Sequence, residues 1–159
     1  KYILVDKYLF RIAPQGVVYR KDGKMLVMKR SLKEEVAPGS LAYVGGKVER
    51  QEIKDYNKDT IYNVFEDTFI RECLEETHVK VKRDTIRIIG DHLFERKDGI
   101  QMIIVTLIAE FDEQLEGELD KDEVEALYWL NLSEIDKSNM PDAVYRTYEK
   151  ASMIINSLI

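Results

Sequence analysis

The chain has 159 residues, 45% of them apolar and 34% charged, which fits one globular domain with a proper core and excludes a disordered chain. Its net charge is −6 with no basic block, so bulk electrostatics exclude a nucleic-acid duplex as partner. A small anionic substrate remains open, provided something cationic offsets the repulsion.

In chain order, the start KYILVDKYLF is interrupted by charges and makes a poor signal peptide. Residues 8–20, YLFRIAPQGVVYR, read as a strand with a break near Pro14. A turn at Lys21-Asp22-Gly23-Lys24 leads to a second strand at 25–30, and the pair predicts a hairpin. Residues 33–52 are loop-rich and hold three of the eight glycines. From about Asp59 to Thr77 the pattern is helical, with Asp59 or Thr60 as N-cap. Two longer strands, 85–96 and 100–111, flank Lys97-Asp98-Gly99 and are apolar enough to sit between two covering layers. An acidic stretch, DEQLEGELDKDEVEA, precedes a short strand at LYWL, and a closing amphipathic helix follows Pro141. No composition shift marks a boundary, so residues 1–159 read as a single domain. No apolar run approaches the ~20 residues of a membrane-spanning helix. The one cysteine, Cys73, forms no intrachain disulfide, which is compatible with a cytoplasmic protein.

The segment RECLEET, 71–77, crowds Glu72, Glu75 and Glu76 into one helical turn and a half. With Ile61 at zero and about 100° per residue, Val64 falls at about 300°, Phe65 at about 40° and Thr68 at about 340°. On the same wheel Glu72 falls at about 20°, Glu75 at about 320° and Glu76 at about 60°. The acids therefore continue the apolar stripe. Crowded, partly buried carboxylates repel one another and take up protons unless a divalent cation lies among them. Hard oxygen ligands suit Mg²⁺ or Mn²⁺. The competing reading is a helix end that protrudes into solvent.

GGKVERQE, 45–52, and RECLEETHV, 71–79, together resemble the signature of the Nudix (MutT-like) hydrolases. Gly46, five residues and Glu52 match the first half; Arg71, Glu72, Cys73, Glu75, Glu76 and Val79 match the second. The sequence departs from that pattern in three ways. Eighteen residues instead of seven separate Glu52 from Arg71, an excess of eleven placed in IKDYNKDTIYN, 53–63. Loops tolerate such lengthening cheaply. His78 stands where the family has a glycine that ends the helix in a left-handed conformation, and Val44 replaces a proline. None of the three removes a carboxylate.

The resemblance implies an α/β/α sandwich with a mixed sheet, the Nudix fold, and hydrolysis of a nucleoside diphosphate linked to another group. It implies Mg²⁺ or Mn²⁺ on Glu72 and Glu76, then Glu75, with Gly45 or Gly46 lending a carbonyl. Arg71 becomes an internal strut that pairs with a box glutamate, Glu52 if it reaches. Lys47 is a phosphate contact or an ordinary solvated lysine, and Glu49 joins the acidic site or braces the loop. Of the later acids Glu118, Asp120, Glu123 and Glu125, Glu123 is the choice for a further ligand or base. Tyr8, Phe10, Tyr43 and Phe94 are candidates to stack a base, with core packing the competing role for each. Cys73 is core filler and His92 structural by default.

The partner expected is a small nucleotide, with no membrane and a monomer or homodimer. Nucleoside triphosphates and nucleotide sugars or ADP-ribose remain open as substrates. A Nudix-like nucleotide sensor without catalysis is the alternative, against which the intact Glu72, Glu75 and Glu76 argue. An acidic helix for protein contacts leaves Gly45-Gly46 and Arg71 without a role.

Overall fold

The computed structural model describes residues 10–49 and 60–159. Among them eight strands and two α-helices alternate: β1 (Arg11–Tyr19), β2 (Met25–Arg30), β3 (Leu41–Ala42), β4 (Val44–Gly45), α1 (Val64–Thr77), β5 (Val79–Val81), β6 (Arg87–Glu95), β7 (Gln101–Gln114), β8 (Val124–Leu130) and α2 (Asp142–Asn156). The strand order is β3-β2-β1-β7-β5, with β4 joined to β1, β6 to β7 and β8 to β2. β1 and β7 run parallel, from Arg11 opposite Met102 to Tyr19 opposite Glu110. The other pairings are antiparallel, so the sheet is mixed.

The central strands are apolar at consecutive positions because both faces are covered. Side chains alternate across a strand, and here they fall into two cores. Val17, Met25, Val27 and Ile108 pack under Tyr148, Ala151 and Ile155 of α2. Val18, Leu26, Met28 and Leu107 pack under Phe69 and Cys73 of α1. The result is the expected α/β/α sandwich. Tyr148 is fully buried, and its hydroxyl lies 2.8 Å from the Leu26 carbonyl oxygen and 3.2 Å from that of Ala42, tying α2 to β2 and β3.

Several local expectations shift. The first turn forms as expected, with the Gly23 N–H donating to the Arg20 carbonyl at 2.9 Å. Pro14 does not break β1. It sits in register opposite Val105, and its carbonyl faces Gly45, so the missing N–H lies on the β4 side, where that strand ends. Helix α1 begins at Val64, later than Asp59 or Thr60: Thr60–Asn63 are irregular, and Asn63 takes a left-handed φ of 60° without a side-chain cap. Asp59, and with it residues 53–58 of the inserted segment, lie outside the described residues. His78 ends α1 in the left-handed conformation anyway, with φ 55°. The strand at 85–96 becomes β6, which is exposed or half-buried throughout rather than covered on both faces, because among the described residues it pairs with β7 alone. The short strands β3, β4 and β5 were not evident from periodicity, being only two or three residues long.

Candidate active site

Helix α1 carries the acids, and its buried face explains their arrangement. The buried residues are Thr68, Phe69, Glu72, Cys73 and Thr77. On the wheel used above they centre at about 70°, so Glu76 at about 60° lies on the stripe, Glu72 at about 20° flanks it and Glu75 at about 320° falls at its edge. Glu72 is 9% exposed, whereas the Glu75 side chain is 54% exposed. Residues 45 and 46 meet this face. The Gly45 N–H donates to Glu76 Oε2 at 3.0 Å. A Cβ on Gly46 would sit 2.2 Å from Glu72 Oε1, so only glycine allows the carboxylate to lie there.

Arg71 is the strut. Its guanidinium, 13% exposed, reaches Glu72 Oε1 and Glu75 Oε2, each at 2.8 Å, and donates to the Lys47 carbonyl at 3.0 Å. It thereby joins the helix acids to the loop after β4. Glu52, its expected partner, lies outside the described residues, as does Tyr8.

Gly45, Gly46, Glu72, Glu75 and Glu76 line one cleft of about 800 Å³, together with Lys47, Glu49 and Glu123. Burial is the largest influence on the acids, since it disfavours the charged form. It pushes Glu76 up to about 8, with Glu72 and Glu123 adding to the rise and the Gly45 N–H and Arg30 opposing it. Burial also raises Glu72, against the pull of Arg71, and Glu75 and Glu49 add to the rise. Glu123 is raised by burial and by Asp120, Glu34 and Glu75. Cys73 is fully buried and its thiol is pushed well up by burial, then by Glu76 and Glu72, which makes it packing and not a nucleophile.

The donor set therefore fits a divalent cation in its chemistry: hard carboxylate oxygens, mutually repelling, in one cleft. As they stand, no three described His, Cys, Asp or Glu side chains are gathered closely enough to share one ion. Arg71 engages one oxygen each of Glu72 and Glu75, and the Gly45 N–H one oxygen of Glu76, so each carboxylate keeps a second oxygen for a cation.

Other expected residues separate. Phe94 lines the cleft, but Phe10 does not; it precedes the start of β1 and is 43% exposed. Tyr43 borders the cleft yet is 5% exposed, with its ring 6.1 Å from that of Tyr148, and burial pushes its phenol up to about 12. Its face is occupied by the core, leaving none to stack a base.

Sequence reading missed Arg30 and Glu34. Arg30, at the end of β2, lines the cleft; its Nε donates to the Val36 carbonyl at 2.9 Å and its guanidinium pairs with Glu34. Arg30 lowers both Glu76 and Glu123, which places its charge among the acids. The strand periodicity shows that Arg30 ends β2, but not that the cleft opens there.

A model of the NUDIX domain matches residues 9–150. The chain belongs to the Nudix hydrolase family. It is a Nudix-type pyrophosphohydrolase, an enzyme acting on phosphoric anhydrides, in a family that generally uses divalent metal ions. Among solved structures, the MutT NUDIX hydrolase from Burkholderia pseudomallei is similar at 24% identity, over 89% of this chain and 98% of that one, with a TM-score of 0.66. A NUDIX hydrolase from Nitrosomonas europaea is similar at 16% identity, over 91% and 90%, with a TM-score of 0.68. The NUDIX domain of Shewanella oneidensis NrtR, solved in complex with ADP ribose, is similar at 16% identity, over 92% and 89%, with a TM-score of 0.64. At these identities the likeness shows the fold. No curated protein matches the chain significantly. Among the described residues no helix is long and apolar enough to cross a membrane.

Proposed function

We propose that this Nudix enzyme hydrolyses the pyrophosphate of a nucleoside diphosphate linked to another group, in a reaction that depends on Mg²⁺ or Mn²⁺. The observation that carries the reading is the meeting of Glu72 and Glu76 with Gly45-Gly46 at one end of a cleft whose other lining includes Phe94. Glu72 and Glu76 would hold the cation first, with Glu75 and a Gly46 carbonyl completing the set. A divalent cation there supplies charge neutralisation for the pyrophosphate and acidifies a bound water.

The chain's own residues do the rest. Arg71 keeps Glu72 and Glu75 in register with the loop after β4. Arg30 and Lys47 bring positive charge to a cleft that otherwise repels an anion. Glu123 approaches from the segment before β8 as a further ligand or as the base that takes a proton from the attacking water. Its nearness to Glu76 supports that role, because its charge raises the proton affinity of Glu76.

The substrate class splits into nucleoside triphosphates on one side and nucleotide sugars or ADP-ribose on the other. ADP-ribose enters the panel because a similar domain was solved with it. The test is release of phosphate-containing products from that panel with Mg²⁺ and Mn²⁺. Cleavage at a pyrophosphate that stops with chelator is expected. Tight nucleotide binding without turnover under either metal would instead support a sensor.

A further inference from the structure

One end of the cleft is acidic, whereas the other is largely apolar, with the His92 imidazole in it and Arg96, paired with Asp98, beside it. Strand β6 places His92 opposite Ile104 and Phe94 opposite Met102. On the next strand, Ala13 lies opposite Ile104 and Arg11 opposite Met102. Ala13, Met102 and Ile104 form a small buried cluster, and with Val144 from the first turn of α2 they enclose this end. His92 and Phe94 are two apart on a strand and so share a face, one beside the other on the same floor. Both line the cleft.

Phe94 is 39% exposed and so has ring surface to offer. His92 is half-buried, and its imidazole makes no hydrogen bond with any described residue. Its ring nitrogens are therefore open to water or to a ligand. Burial lowers its proton affinity, outweighing the nearby Asp91, so the ring is neutral near pH 7 and presents one donor and one acceptor. The site also has the right separation from the chemistry. Gly45 pairs with Gln15 on β1, and His92 lies two strands beyond β1. Three strand spacings of about 4.8 Å place His92 roughly 14 Å across the sheet from Gly45. That is comparable with the reach of a nucleotide from its outer phosphate to the far edge of its base.

We propose that His92 is a specificity-determining residue: it hydrogen-bonds the edge of the base whose face rests on Phe94. The inference builds on the function proposed above. An aromatic face accepts every base, whereas an edge contact sorts them. His92 is therefore the discriminating group and Phe94 the general one.

The test measures equilibrium binding of ADP, GDP, CDP and UDP to wild type, His92→Phe and His92→Gln by calorimetry, with turnover measured separately. His92→Phe keeps a flat ring of similar size but loses the hydrogen bond, and His92→Gln restores a donor and an acceptor. We expect wild type to rank the four bases, His92→Phe to weaken the preferred one by roughly three- to tenfold and flatten the ranking, and His92→Gln to recover part of it. In turnover the change should lie in KM, with kcat held. An unchanged ranking in His92→Phe, an equal loss for all four bases, or a wild type that does not discriminate overturns the inference. The two readings also fail separately. Base-dependent binding that His92→Phe flattens, without turnover, removes the hydrolase assignment and leaves the His92 assignment. Turnover with an unchanged ranking does the reverse.

Discussion

Glu76→Gln separates what the site needs from what the fold needs. In the folded protein burial, with Glu72 and Glu123 beside it, pushes Glu76 up to about 8 from an ordinary 4.5. The sign follows from proton binding. Between those two values the folded chain holds a proton that the unfolded chain releases, so stability falls as pH rises through that window and is level on either side. The gap corresponds to a ceiling of about 5 kcal/mol. The side chain is only partly covered and relaxes toward water, so the realised cost should be about 1–3 kcal/mol. Gln is neutral at every pH and keeps an oxygen that accepts from the Gly45 N–H. Urea unfolding in chelator should therefore show the variant equal to wild type at pH 4.5 and more stable by about 1–3 kcal/mol at pH 8.5, or several degrees in Tm. Added Mg²⁺ should then stabilise wild type and leave the variant nearly unmoved, because only a state that binds the ion gains from it. Turnover should drop on the order of a hundredfold or more. A variant less stable than wild type at pH 8.5, or a difference that does not vary with pH, refutes the reasoning.

Three further outcomes follow from the geometry. Gly46→Ala puts a methyl 2.2 Å from Glu72 Oε1, so the carboxylate must move; kinetics should show kcat reduced on the order of a hundredfold while urea unfolding shows little change. His78 bears a left-handed φ of 55°, so His78→Val should cost about 1–2 kcal/mol in thermal unfolding. His78→Gly should stay within about 1 kcal/mol of wild type, since relief of strain offsets the lost bond from Nε2 to the Glu118 carbonyl. Glu34→Gln weakens the hold on Arg30, and steady-state kinetics should show KM lowered several-fold with kcat unchanged, since a partly buried ion pair of this kind contributes on the order of 1 kcal/mol; a raised KM would mean that Glu34 orients Arg30 for substrate.

Much of this was legible because it is local. The hairpin turn at residues 21–24, the closing helix after Pro141 and the inward-facing Glu72 and Glu76 are all short-range patterns, whereas Glu75, expected on the same stripe, lies at its exposed edge. The Nudix resemblance supplied the order of the remaining elements. What escaped depends on distant parts of the chain. Arg30 ends one strand, Glu34 lies in the loop behind it and His92 sits on β6, and nothing in their spacing shows that one cleft gathers them. Tyr43 reads either as a base-stacking face or as core packing, and Tyr148, more than a hundred residues on, makes it core. The start of α1 was misplaced because Asn63 turns left-handed, a backbone choice that the apolar period of the helix does not reveal.

The Tyr148 hydroxyl has a mechanical consequence. By spanning the carbonyls of Leu26 and Ala42 it fastens α2 to the strands beneath it, and the start of α2 is one jaw of the cleft. That jaw is fixed. The opposite jaw, residues 33–37, is held mainly through Arg30 and a surface pair between Lys33 and Asp122. A bulkier substrate therefore finds room more readily on the side of this loop than on the side of the helix. Selection for new substrates would act first on that loop and on β6, leaving Tyr148 and its two carbonyls untouched.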